Sequence, residues 1–134
     1  MGRIKYLLDT HTLLWFFYRK ELLPQQILEY IQNENIFVSA VNFWEISIKY
    51  NKGNLDLLGN TPYELKMICF EKLKFDFLEL DIETTSSFYN LTINHHSDPF
   101  DRMLIWQALT HDLTIMTNDT NIHKYQDIGL KVIW

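Results

Sequence analysis

The sequence predicts an α/β fold, a small parallel sheet with helices on its faces. Short apolar runs alternate with longer segments of helical period, the order that βαβ units produce. At 134 residues the chain has the length of one domain, so 1–134 is expected to fold as a single unit. A composition 47% apolar and 15% aromatic, with four Gly and three Pro, supplies a core and excludes disorder.

The elements follow in order. Ile4-Lys5-Tyr6-Leu7-Leu8 reads as a buried strand opening into a turn at Asp9-Thr10, and a helix over 11–18 comes next. Pro24 suits a first helical position, with Leu23, Ile27, Tyr30 and Ile31 recurring at helical spacing. Ile36-Phe37-Val38-Ser39 is a second strand. Val41, Trp44 and Ile48 mark a helix that stops near Asn51-Lys52-Gly53, where glycine is a natural cap. The stretch 55–60 reads as a loop with a turn at each end. Thr61 caps and Pro62 opens a helix to about Lys72. A strand is expected over 75–80, and Asp81 caps a helix over 82–91. Asp98-Pro99 starts a helix to about His111, and 113–117 and 131–134 complete the strands.

Composition and charge narrow the function. One cysteine, Cys69, excludes an internal disulfide framework and a Cys-rich zinc site; it reads as a small core residue. The longest apolar run, 13–18, is far short of the ~20 residues that span a bilayer, so no membrane association is expected. The N-terminal stretch has too short an apolar run for a secretory signal, and Tyr6 stands where myristoylation needs Ser or Thr. A cytoplasmic location is the expectation. Seventeen Asp and Glu against twelve Lys and Arg give a net charge of −5. A protein that handles nucleic acid from this charge needs a local basic rim or a bound cation.

Asp9 and Asp119 both fall at carboxyl ends of expected strands, where open α/β sheets build their sites. Each acid also has an ordinary explanation. Asp9 and Asp98 suit helix caps, Asp119 suits a turn, and Glu45 stands four residues before Lys49 as a solvent-facing ion pair would. Two details go further. Asp101 heads the stripe Leu104, Ile105, Ala108 and so shares the helix face that packs on the sheet. Glu45 likewise borders the inward stripe of its helix. Two carboxylates about 4 Å apart repel by ~4 kcal/mol at an effective dielectric near 20, so a converging set must take up protons or hold a hard cation. Oxygen-only ligation suits Mg2+, with Mn2+ as a substitute, and leaves positions for substrate phosphate.

Four stretches carry a family resemblance. They are Leu7-Leu8-Asp9-Thr10-His11-Thr12-Leu13-Leu14-Trp15, Ser39-Ala40-Val41-Asn42-Phe43-Trp44-Glu45-Ile46-Ser47-Ile48-Lys49, His96-Ser97-Asp98-Pro99-Phe100-Asp101-Arg102-Met103-Leu104-Ile105-Trp106-Gln107-Ala108, and Leu113-Thr114-Ile115-Met116-Thr117-Asn118-Asp119. In that order the sequence resembles the PIN-domain ribonucleases, in particular VapC-type toxins of type II toxin–antitoxin pairs. The resemblance implies a three-layer α/β/α fold, Mg2+-dependent endoribonuclease activity, a homodimer and inhibition by a cognate antitoxin. It also implies metal-ligating and catalytic roles for Asp9, Glu45, Asp101 and Asp119. Asp98 is a further metal-ligand candidate for which capping is a sufficient account, and Thr10 and Thr117 are candidates to orient a metal-bound water. Trp106 departs from the family pattern, in which a small residue is more frequent.

The expected reaction is in-line hydrolysis of an RNA phosphodiester by a metal-activated water. Lys49, Lys52, Arg102 and Lys124 are candidate phosphate guides, and Trp15, Phe16 and Phe17 read as core or interface residues. The antitoxin is expected to cover an apolar groove and insert an arginine among the carboxylates. Rival readings are weaker. His95-His96 with Asp98 does not match a helix-borne metal pair, and a dehalogenase-like phosphatase needs a second Asp where His11 stands. A receiver domain needs acids where Tyr6-Leu7-Leu8 stand. The main alternative is a catalytically inactive PIN-like module that binds a metal or a partner's arginine without turnover.

Overall fold

The computed structural model describes residues 2–134. Among them the chain runs β1 (Lys5–Leu8), α1 (Thr10–Tyr18), α2 (Gln25–Asn33), β2 (Asn35–Ser39), α3 (Ala40–Asn51), α4 (Pro62–Met67) and β3 (Asp76–Leu78). It continues through α5 (Ile82–Ser87), α6 (Pro99–His111), β4 (Thr114–Met116), α7 (Thr120–His123) and β5 (Lys131–Ile133). The strands form one sheet in the order β3-β2-β1-β4-β5, and every pairing is parallel. At its centre Tyr6 pairs with Ile36 on one side and Thr114 on the other.

Alternation along each strand feeds two cores. From β1, Tyr6 and Leu8 pack with Leu13 and Phe16 of α1, Ile27 and Ile31 of α2 and Leu65 of α4. Leu7, between them, packs on the other face with Leu104, Ile105 and Ala108 of α6 and with Ile122 and Tyr125. The expected three-layer α/β/α arrangement is therefore present. Each fully buried Leu in these layers contributes about 1.5–3 kcal/mol over its exposed state.

The order of strands fixes where a site can form. From β1 the chain winds outward through β2 and β3, then crosses back to build β4 and β5 on the opposite side. The reversal leaves a crevice beyond the carboxyl ends of β1 and β4, the general location of sites in such sheets. α6 carries the chain back to the start of β4, so its own N-terminus, with Asp98 and Asp101, stands at that same carboxyl edge.

Local chemistry explains most element ends. Ser39 caps α3 by accepting the Val41 N–H, and Asn42 returns the favour by accepting the Ser39 N–H. Thr61 and Glu64 form the equivalent capping box of α4. Gly53, at φ +78°, ends the turn after α3 in a conformation that a side chain would strain. Trp106 lies half-buried in α6 and donates its indole N–H to the Thr84 carbonyl and the Ser87 hydroxyl, which pins α5 to α6.

Several expectations need correction. Pro24 is the N-cap of α2 rather than its first residue. β3 has three residues, not six, because it is an edge strand with a single neighbour. The helix expected over 82–91 breaks after Ser87 into a 3-10 turn over Phe88–Asn90, and α4 widens into π-helical turns over Ile68–Lys72. α7 and the 3-10 turns that follow it were not expected. Only Ile122 and Tyr125 there are buried, too few to make a visible period. Among the described residues no helix is long and apolar enough to cross a membrane.

Candidate active site

Asp9 leaves β1 fully surrounded, with 3% of its surface exposed. It caps α1, one carboxylate oxygen accepting the Thr12 N–H at 2.8 Å and the other the Thr117 hydroxyl at 2.5 Å. Capping and site placement are thus the same act. Burial pushes its carboxyl above the ordinary aspartate value, against the opposing pull of the Thr117 and Thr12 bonds. The Thr117 hydroxyl also accepts the Asp119 N–H at 2.9 Å, which ties the turn after β4 to the turn after β1.

Thr10 makes the matching link to α3. Its hydroxyl donates to Glu45 Oε1 at 2.6 Å and accepts from the Asn42 side-chain amide at 3.1 Å. Asn42 also donates to the Leu8 carbonyl at 3.2 Å, so one buried amide joins the end of β1 to α3. Glu45 forms the expected pair with Lys49, at 2.7 Å, but not facing solvent: Glu45 is only 5% exposed. Thr10 and Thr117, the candidates to orient a water, each hold one of the acids.

Asp101 reports on the whole cluster. Its carboxyl is pushed up to about 8, first by burial and then by the negative charges of Asp98, Asp9, Glu45 and Asp119. Four acids that lie far apart in sequence, joined by Asp98, therefore share one electrostatic neighbourhood. Asp98 is exposed and accepts the Asp101 N–H at 2.9 Å, as its capping account requires. Asp119 caps α7 through the Asn121 N–H and lines a hollow of about 240 Å³ with Asp9, His11, Trp15 and Asn118. Trp15 thus borders the acidic cleft as well as packing on the core; its ring meets Trp134 edge-on at 6.0 Å.

His96, Tyr125 and Arg102 brace Asp101, a role that the sequence alone did not assign them. His96 Nε2 lies 3.4 Å from Asp101 Oδ2, and its Nδ1 lies 3.1 Å from the Tyr125 hydroxyl. Burial holds the His96 imidazolium below its ordinary value, against the raising pull of Asp119 and Asp98. Arg102 donates to the Tyr125 hydroxyl and to the carbonyls of Leu91 and Ile93. It is a strap for the loop before α6, so this candidate phosphate guide has its guanidinium on protein acceptors. His95 turns away to Asp127 at 2.8 Å, so the two adjacent histidines do not share a ligand. Cys69 is buried and its thiol is pushed up to about 12, in keeping with a core role.

The donor set consists of carboxylate oxygens, which suits a hard divalent cation. Among the described residues no three His, Cys, Asp or Glu side chains close on one point. Asp9, Glu45, Asp101 and Asp119 each meet a partner within the protein. Magnesium needs no such closed cage, because it binds through one or two carboxylates and keeps several waters. A larger hollow, about 590 Å³, lies away from the acids between α3, α4 and β3, lined by Phe43, Tyr63, Met67, Phe70 and Phe77.

Comparison with known proteins adds a family. The PIN domain model matches residues 6–128. No curated protein sequence matches the chain. Among solved structures the fold is shared with VapBC2 from Rickettsia felis bound to a DNA fragment from their promoter. That match has a TM-score of 0.71 at 15% identity and covers 98% of this chain and 99% of that one. DNA-bound VapBC from Salmonella typhimurium gives a TM-score of 0.67 at 18% identity, with 97% of each chain covered. A toxin-antitoxin complex from Klebsiella pneumoniae gives 0.64 at 19% identity, also with 97% of each covered.

Proposed function

This chain belongs to the PIN domain family, and from that premise we propose that it is a cytoplasmic, Mg2+-dependent endoribonuclease, the toxin of a type II toxin–antitoxin pair. The observation that carries the proposal is the pair of buried links at the crevice where strand order reverses: Thr117 ties Asp9 to the Asp119 turn and Thr10 ties the end of β1 to Glu45, while α6 begins with Asp101 at the same edge. The catalytic and metal-ligating roles belong to these four, with Asp98 on the exposed rim. A bound divalent cation supplies charge neutralisation at the phosphate and activation of a water.

The chain's own residues do the positioning. Thr117 and the Thr12 N–H hold Asp9, Thr10 and Lys49 hold Glu45, and His96 meets Asp101 from the side of the loop before α6. A cation held here would compete with the proton on Asp101, whose carboxyl is pushed up to about 8 by burial and the neighbouring negative charges. The Arg102 strap and the Asn42 amide keep the walls of the cleft in register.

The partner belongs to the same proposal. Structures that share this fold include a toxin-antitoxin complex, and the apolar hollow between α3, α4 and β3 offers a surface that such a partner covers. A homodimer is expected on the family pattern. A second reading, a module that binds a partner's arginine without turnover, is favoured by the protein donors already engaged on the acids.

Cleavage assays separate the two. Asp9→Asn and Asp101→Asn are expected to abolish cleavage of structured RNA without loss of folding, and EDTA to abolish it in the wild type. Full activity in both variants, or indifference to EDTA, excludes the nuclease mechanism. Antitoxin binding with no cleavage of any RNA supports the module.

A further inference from the structure

We propose that Trp44 and Phe100 form a stacking platform for one unpaired nucleobase of the substrate, beside the acidic cleft; this rests on the reading of the chain as an RNA nuclease. Trp44 is 56% exposed, although its neighbour Glu45 is buried. Its ring meets that of Phe100 edge to face, with centroids 5.1 Å apart and planes at 78°. Phe100 packs onto the core beneath α6, so the pair is anchored on one side and open on the other. Each ring is also the immediate chain neighbour of an acid of the cleft. Trp44 precedes Glu45 on α3, and Phe100 precedes Asp101 on α6.

Charge says why such a platform is needed. The chain carries −5, and two cations beside the acids are already committed. Lys49 pairs with Glu45, and Arg102 is bound to two loop carbonyls and to Tyr125. These two cations therefore offer little to a polyanion. Stacking on an aromatic face needs no net charge, accepts any base, and is worth roughly 5- to 150-fold in affinity per base. The base must be unpaired, because in a duplex both of its faces are already covered by neighbours. The platform thus directs the site to single-stranded or looped RNA.

The test compares Trp44→Leu, which keeps apolar bulk but has no π face, with Trp44→Phe, on a short single-stranded RNA of mixed sequence in Mg2+. For Trp44→Leu, KM is expected to rise roughly 5- to 150-fold with kcat little changed, while Trp44→Phe stays near the wild type. RNA is also expected to quench tryptophan emission in the wild type, and most of that quench to vanish in Trp44→Phe. Because the ring is largely exposed, thermal melts of both variants should match the wild type. An unchanged KM in Trp44→Leu overturns the platform while leaving the nuclease reading intact. A shift of Trp44→Leu to a smaller assembly in light scattering, with KM preserved, overturns it in favour of a contact between copies. A wild type that cleaves no RNA defeats the nuclease reading, and the platform with it.

Discussion

Thr117 donates its hydroxyl proton to Asp9 across 108 positions of sequence, at 2.5 Å, with both residues buried. The same oxygen accepts the Asp119 N–H. One threonine therefore sets the separation of two acids that arrive on different strands. Thr117→Val keeps the shape and removes both bonds. It is expected to cost about 1–3 kcal/mol of stability and roughly 10- to 100-fold in cleavage or metal affinity, whereas Thr117→Ser retains most of each. Urea denaturation and cleavage rates on the two variants are the measurements.

Asn42 is the second such hub. Its side chain bonds the Leu8 carbonyl, the Thr10 hydroxyl and the Ser39 N–H, all buried. Asn42→Ala removes all three buried bonds and is expected to destabilise the fold by at least about 1–3 kcal/mol, read as a lower urea midpoint. A midpoint within error of the wild type would show that the three bonds carry no net stability.

The Asp101 shift makes a signed prediction about pH. Its folded value near 8 exceeds the ordinary 3.8. Between those values the folded state holds a proton that the unfolded state has lost, so metal-free stability falls as pH rises. His96 acts in the opposite sense: its folded value lies below 6.5, so its contribution grows with pH and is complete above 6.5. From pH 6.5 to 8 the His96 contribution is complete and the raised carboxyls, Asp101 and in the same sense Asp9, set the slope. In EDTA the urea midpoint should fall across that window, and Asp101→Asn should flatten the slope.

Cys69 is expected to be inert. It is fully buried and its thiol is pushed up to about 12, so a thiol reagent at pH 8 should modify the native chain slowly and the urea-unfolded chain at once. Rapid modification of the native chain would contradict the core assignment.

Local pattern carried the strand–helix alternation and the placement of the acids. Asp101 was legible because its stripe of Leu104, Ile105 and Ala108 pointed inward, and Asp9 because a strand ended on it. The bracing was not legible. His96, Tyr125 and Arg102 meet over separations of up to 29 residues, and no periodicity records a contact that three different segments make in space. Thr117 and Asn42 carried a local signal, a capping position or a strand end, but their partners lie 108 and 34 residues away. α7 stayed hidden because a four-residue helix offers no repeat to count.

The convergence of acids from four segments is tested most directly by titrating Mn2+ into the wild type, Asp9→Asn and Asp101→Asn, with free Mn2+ followed by electron paramagnetic resonance. The wild type should bind the ion saturably, with Mg2+ competing, and each variant should lose roughly 10-fold or more in affinity while keeping its fold. Equal binding by all three proteins would place the ion elsewhere and remove the basis for the nuclease.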